Sequence, residues 1–361
     1  PRPPDVTISP DGETMLLVDE DPMPSIAYMA QPLLRIAGIR ILPKYNAEQE
    51  TDFNTGITIK NIKDGTETKV TLPSDSKLSF PRWSHDSRWF VFLMYKDNGV
   101  EAWVGNAKTG EAKALTSESI NATLNSGYTR LPDNRHILVF TTPQDRGAPP
   151  KSSNVPTGPI VQQSLGKLSK VRTYQDLLTS PHDEALFEYY ATSQIMEIDI
   201  QSGESKKIGS PGIYRSVDPS PDGNFLLVYR IKKPFSYSVP YRRFPHTYEI
   251  WDREGNLIHV LADLPLADEV PIDGVAKGAR SVDWRPLKPA TLVWVEALDG
   301  GDPEKQVLFR DKMMTLPFPF IAEPKEIMKI KDRYSDIEWL QPAGKALLVE
   351  ENEKTRWQTT S

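Results

Sequence analysis

Short apolar runs, each entered through a polar turn, recur along the chain. Ser9-Pro10-Asp11-Gly12 leads into Met15-Leu16-Leu17-Val18, and Ser84-His85-Asp86-Ser87 into Trp89-Phe90-Val91-Phe92-Leu93. Leu131-Pro132-Asp133-Asn134 leads into Ile137-Leu138-Val139-Phe140, and Ser220-Pro221-Asp222-Gly223 into Phe225-Leu226-Leu227-Val228. Two looser copies are Arg285-Pro286-Leu287-Lys288 before Thr291-Leu292-Val293-Trp294-Val295, and Gln341-Pro342-Ala343-Gly344 before Ala346-Leu347-Leu348-Val349. Proline presets φ, Asp bonds its own backbone, and Gly or Asn accepts the left-handed position. Each run that follows reads as a strand buried on both faces.

A second turn type closes hairpins at Lys63-Asp64-Gly65, Lys108-Thr109-Gly110, Gln201-Ser202-Gly203 and Arg253-Glu254-Gly255. Together the two turns predict an all-β chain, a β-propeller of four-stranded antiparallel blades with six blade starts. A β-sandwich, or a six-bladed ring closing on itself, is the alternative. The whole of 1–361 reads as one propeller domain with long insertions at about 22–50 and 143–192. In the first insertion Ser25 is placed to cap a short helix, and Arg35 and Arg40 flank an apolar, helix-like stretch. In the second, Pro181-His182-Asp183-Glu184 predicts a helix of one or two turns. The sixth unit is expected to be incomplete, its edge waiting for a segment beyond residue 361.

Composition supports a folded chain and narrows its partners. Hydrophobic residues make up 38% and charged residues 25%, enough for a sizeable core. With 43 Lys+Arg against 49 Asp+Glu, the net charge of -6 argues against nucleic acid or an anionic membrane as partner. The chain has no Cys, which excludes disulfides, thiolate metal sites and Cys nucleophiles. No apolar run approaches a membrane span, and the Pro1-Arg2-Pro3-Pro4 opening lacks the pattern of a signal peptide.

Catalytic motifs are missing. There is no Gly-x-Ser-x-Gly elbow, phosphate loop, dinucleotide fingerprint or His-Glu-x-x-His, and the five His are scattered without metal-ligand spacing. No catalytic residue, metal or cofactor is therefore expected within this chain. Asp299-Gly300-Gly301-Asp302 has too few oxygen ligands for calcium and reads as a solvated hairpin tip. Asn121-Ala122-Thr123 matches a glycosylation acceptor, a match frequent by chance, and Trp83, Trp284 and Trp339 read as core. Arginine is more informative: Arg35, Arg40, Arg172 and the Arg242-Arg243 pair lie in the insertions or beside prolines, where a guanidinium can grip a carboxylate bidentately.

Several stretches are similar to a known family. Ala30-Gln31-Pro32-Leu33-Leu34-Arg35-Ile36-Ala37-Gly38-Ile39-Arg40-Ile41, Phe53-Asn54-Thr55-Gly56-Ile57 and Arg146-Gly147-Ala148-Pro149-Pro150-Lys151 resemble the chloroplast glutamyl endopeptidases and their bacterial relatives. So do Val171-Arg172-Thr173-Tyr174-Gln175-Asp176-Leu177-Leu178, Tyr189-Tyr190-Ala191-Thr192-Ser193-Gln194, Arg243-Phe244-Pro245 and Asp263-Leu264-Pro265-Leu266-Ala267. That group is a branch of the prolyl oligopeptidase family of serine peptidases. The resemblance implies an N-terminal propeller, usually seven-bladed, of which this chain supplies about six blades. A C-terminal α/β-hydrolase domain carrying a Ser-Asp-His triad is expected beyond residue 361. It also implies peptide substrates cut after glutamate, with Arg172, Arg243 and Arg40 as candidate carboxylate contacts. The compartment implied is periplasmic or exported in a bacterium, or the chloroplast stroma in a plant. The competing reading is a non-catalytic propeller that binds or scaffolds other proteins.

Overall fold

The computed structural model describes residues 3–21, 23–117, 119–152, 173–340, 344–352 and 354–361. All six apolar runs are strands: Thr14–Asp21, Trp89–Tyr95, His136–Thr141, Phe225–Ile231, Thr291–Ala297 and Lys345–Asn352. Each sits between the strand before its turn and the strand after it, with antiparallel pairing. These are the blades of a β-propeller architecture. The sheet built on the sixth run has three strands, Arg333–Leu340, Lys345–Asn352 and Trp357–Thr360.

The chain divides into two compact units, Pro1–Asn154 with Pro181–Arg215, and Val155–Ser180 with Ser216–Ser361. The first unit holds three blades, the second of which is built on Trp89–Tyr95, buried along its whole length. Its neighbour strand brings Gly105 against Phe90, whose ring comes within 2.3 Å of where a Cβ would stand. Only glycine fits there.

Local chemistry explains why the turns recur. Ser9 Oγ donates to Asp11 Oδ1 at 2.6 Å and accepts from Thr14 N–H at 3.0 Å. Ser84 does the same with Asp86 and Trp89 N–H, and Ser220 with Asp222 and Phe225 N–H. The turns also hold one another: Asp11 N–H donates to Ser87 Oγ, and Asp86 N–H to Asn134 Oδ1. In the second unit Asp222 N–H donates to the Pro289 carbonyl. Trp83 and Trp284 are buried as expected, and each spends its indole N–H on the preceding blade, Trp83 on Thr7 O (3.2 Å) and Trp284 on Asp218 O (2.9 Å). Trp339 is half-buried under the Arg285 guanidinium. The hairpin turns share a feature beyond their glycine. Asn61, Asn106, Asp199 and Asp252 each accept backbone N–H groups of the turn on a side-chain oxygen.

Two local expectations need correction. The stretch around Arg35 and Arg40 is not helix-like but a hairpin, Leu34–Ile36 and Ile39–Leu42, turned by Ala37 (φ 53°) and Gly38 (φ 79°). Two successive residues at positive φ make the tight turn that matches strand twist, and Leu34, Ile36, Ile39 and Ile41 alternate with arginine at period two. The helix starting at Pro181, α2, runs to Ala191, eleven residues rather than one or two turns. The short helix α1, Ile26–Met29, does carry Ser25 at its cap, accepting Tyr28 N–H at 3.3 Å.

Candidate functional site

An antiparallel blade sends the connection after its second strand out at the end opposite the turn that opens it. In the first unit both long insertions leave from such connections, 22–52 between Thr14–Asp21 and Phe53–Asn61, and 142–191 between His136–Thr141 and Thr192–Asp199. The described parts of the two insertions meet there. Asn46, buried and held at φ 50°, donates through Nδ2 to Thr123 Oγ1 (3.1 Å) and Tyr190 O (3.0 Å). Asn121 Nδ2 donates to Tyr190 O and Thr192 O, both at 2.9 Å. Thr123 returns the contact by donating to Asn46 O at 3.1 Å.

Arg146 closes this lock from the second insertion. Its Nη1 donates to Asn46 Oδ1 and to Tyr189 O, and its guanidinium lies 4.1 Å from the centre of the Tyr189 ring. Tyr189 in turn donates its hydroxyl to Gly147 O at 2.9 Å. Neutral amides and backbone carbonyls thus carry most of the lock, with one cation at its edge. Asn121 is spent on these bonds and 2% exposed, so the acceptor-like Asn121-Ala122-Thr123 is structural. Beside the lock, burial and the neighbouring Glu48 and Asp52 carboxylates push the Glu50 carboxyl above its ordinary value. The same insertion packs an aromatic group, Tyr28, Tyr45, Phe53 and Tyr95, with Lys77 Nζ 4.9 Å from the Tyr28 ring centre.

The second unit places Asp299-Gly300-Gly301-Asp302 in the connection between Thr291–Ala297 and Asp311–Pro317. Asp299 is not solvated but 2% exposed, which overturns the solvated-tip reading. Arg333 bridges Asp299 and Asp311, Arg310 adds a second bond to Asp299 (2.9 Å), and Arg280 a second to Asp311 (2.7 Å). Burial alone would raise the Asp299 carboxyl; Arg333, the Gly301 N–H and Arg310 outweigh it and hold it below the usual range. Gly301, at φ 82°, passes so close to Val275 O that a Cβ would stand 2.0 Å from it. A buried charge survives only when paired in this way.

The predicted arginines fall in different settings. Arg40 is exposed on the hairpin of the first unit, directly across from Arg35. Arg243 lies in the 3₁₀ turn Tyr241–Arg243 of the second unit, 5.5 Å from the Tyr174 ring centre and bonded to Ala267 O. Arg172 lies outside the described residues. Sequence reasoning missed Asn46, Asn121 and Arg280 as structural anchors, since no local motif marks an amide or cation whose partners are distant in the chain. Among the described residues no group of three or more His, Asp or Glu is placed to hold a metal, and no helix is long and apolar enough to cross a membrane.

No family model matches the chain. It is 37% identical over 372 residues to a probable chloroplastic glutamyl endopeptidase of Oryza sativa subsp. japonica, a match covering 98% of this chain and 39% of that protein. A protein of the same name from Arabidopsis thaliana is 37% identical over 374 residues, covering 99% of this chain and 38% of its own. The chain therefore spans less than half the length of these relatives. Among solved structures it is similar to the β-propeller domain of the Trilobed protease from Pyrococcus furiosus, at TM-score 0.46 and 13% identity over 97% of this chain and 77% of that one.

Proposed function

This chain belongs along nearly its whole length to the glutamyl endopeptidase family, and from that membership we propose that it is the propeller part of a serine peptidase that cleaves peptides after glutamate. The observation that carries the reading is the continuity of the match, which at 98% of the chain takes in both long insertions as well as the blade strands. A shared fold alone would match the repeat and not the insertions. The Ser-Asp-His triad belongs in this reading to a C-terminal α/β-hydrolase domain of the same protein, where a histidine-activated serine forms and then loses an acyl group. The propeller admits peptides and excludes folded proteins. A glutamate side chain entering a water-poor cavity needs a cation at its carboxylate, and Arg40, Arg172 and Arg243 are proposed for that contact or for the domain interface.

In this reading the gene encodes a longer protein, and the test compares that product with this chain on fluorogenic peptides that differ by one Glu, Gln or Pro. Cleavage after Glu by the longer protein, abolished by a serine-directed inhibitor and absent from the chain alone, is the expected result. A longer protein that cleaves none of them, or whose added sequence carries no Gly-x-Ser-x-Gly elbow, overturns the peptidase reading and leaves a binding propeller.

A further inference from the structure

The residue just before the blade-opening turn is tryptophan in the second and fifth blades and arginine in the third. Ser84 N–H donates to Trp89 O, Arg285 N–H to Thr291 O and Leu131 N–H to His136 O, so Trp83, Trp284 and Arg130 hold the same register. Trp83 and Trp284 are each 4% exposed and spend the indole N–H on the residue two places before the preceding turn, Thr7 and Asp218. In the second blade the residue at that place is Arg82, on the strand Arg82–Trp83. Arg130 ends the strand Tyr128–Arg130 of the third blade, and both arginines belong to the first unit. One arginine therefore stands where the indole sits in other blades, and a second stands at the residue that would accept from it.

An indole is buried at little cost in that position, whereas a guanidinium there calls for a counter-charge. Arg130 is half-buried and Arg82 exposed, and neither has an ion pair or a side-chain hydrogen bond among the described residues. The Arg82 guanidinium lies 6.0 Å from the centre of the Tyr128 ring, whose hydroxyl is spent on Val91 O at 2.9 Å. Burial and Arg82 hold the Arg130 guanidinium below its ordinary value, and burial and Arg130 do the same to the imidazole of His85. The Asp86 carboxylate beside His85 accepts from Ser84 Oγ and the Arg88 N–H. We propose that Arg130 and Arg82 form a carboxylate-binding site for peptides, with Arg130 as its anchor. Guanidinium forks take a carboxylate bidentately, and the ligand's charge relieves the repulsion between the two cations. The biological meaning, docking of an acidic peptide substrate, rests on the peptidase reading; the binding chemistry does not.

The experiment measures fluorescence anisotropy of labelled hexapeptides against the purified chain and its Arg130→Met and Arg82→Gln variants. One peptide has a central Glu and an amidated C-terminus, the second a central Gln and the same amide, the third a central Gln and a free C-terminus. The expected result is binding about tenfold tighter for a peptide with a carboxylate than for the uncharged one, weakened by salt, with the preference lost in both variants. Preference for the first peptide assigns the site to an acidic side chain, and preference for the third assigns it to a chain terminus. Arg82 is exposed, so Arg82→Gln keeps the test independent of any packing lost in Arg130→Met. Equal binding of all three peptides by the parent, or a preference retained in both variants, overturns the site. The same substitutions in the longer protein of the peptidase reading separate the two proposals. Cleavage after Glu with the parental KM in both variants sinks the site and keeps the peptidase. Carboxylate-selective binding by the chain, lost in the variants, with no cleavage by the longer protein keeps the site and sinks the peptidase.

Discussion

Two loop anchorages solve the same problem with different chemistry. In the first unit, Asn46, Asn121 and Thr123 hold the insertions through neutral amides and a hydroxyl on backbone carbonyls. In the second, Arg280, Arg310 and Arg333 hold the loop at Asp299 and the strand start at Asp311 through buried ion pairs. An amide satisfied by carbonyls is indifferent to pH and salt. A buried ion pair is geometrically strict, because the loss of one partner strands the other's charge in the interior. The charged anchorage should therefore fail abruptly and the amide anchorage by degrees.

Removing the central cation tests this most severely. Arg333→Ala leaves Asp299 with Arg310 and the Gly301 N–H, and Asp311 with Arg280 and the Tyr334 N–H, and Arg333 itself is 3% exposed. The expected cost is about 3–5 kcal/mol, read from denaturant unfolding followed by tryptophan fluorescence. A loss below ~1 kcal/mol would place this cluster with surface ion pairs and erase the contrast. Asn121→Ala should cost less, about 1–3 kcal/mol, because it leaves the Tyr190 and Thr192 carbonyls short of a donor rather than burying a charge. The sharper variant is Asn121→Asp, which puts a carboxylate against those carbonyls and should cost more than Asn121→Ala.

Legibility in the sequence follows the distance over which each device works. The Ser-x-Asp turn is legible because Ser9, Asp11 and Thr14 bond within five residues, and the same local bonds return at Ser84 and Ser220. The Asp299 loop was misread because its partners Arg310 and Arg333 lie 11 and 34 residues on. Nothing around Asp299-Gly300-Gly301 itself distinguishes a buried anchor from a solvated tip. Asn46 is more remote still, bonding to Thr123 and Tyr190 at separations of 77 and 144. The hairpin at Arg35 is intermediate. Its period-two alternation is present in the letters, but the apolar density of Leu33 through Ile41 also fits a helix face until Ala37-Gly38 is recognised as a turn. Arg40 and Arg243 were legible as residue types suited to carboxylates, while their settings on a hairpin and a 3₁₀ turn were not.

Acid should separate the two anchorages by sign. Asp299 has its folded pKa held below the unfolded value of 3.8, so its stabilisation is complete above that value and is lost as pH falls through the folded one. Glu50, beside the amide anchorage, has its folded pKa raised above 4.5. The folded state binds its proton more tightly there, so stability is greater below 4.5 and declines as pH rises through the raised value. Hydrogen exchange, corrected for intrinsic rates, should show 298–311 losing protection as pH falls below 3.8, and the segment around Glu50 gaining it as pH falls from neutrality toward 4.5. The same direction of change in both segments would remove charge as the distinction between them.

The smallest effect concerns the one cation of the amide anchorage. Arg146 reaches Asn46 and the Tyr189 carbonyl and lies over the Tyr189 ring, but it remains half-buried and has no ion pair with a carboxylate among the described residues. Arg146→Lys keeps the charge and surrenders the planar fork and part of the stacking. If amides carry the anchorage, the cost should be about 0.5–1 kcal/mol and should not change with salt, since no carboxylate among the described residues pairs with Arg146. If the cation carries it, Arg146→Lys should approach the effect of Asn121→Ala, and raising the salt should shift parent and variant by different amounts. Unfolding curves of both proteins at two ionic strengths decide between these outcomes. A salt-dependent difference would make the first unit's anchorage electrostatic after all, different from the second unit's in degree of burial rather than in kind.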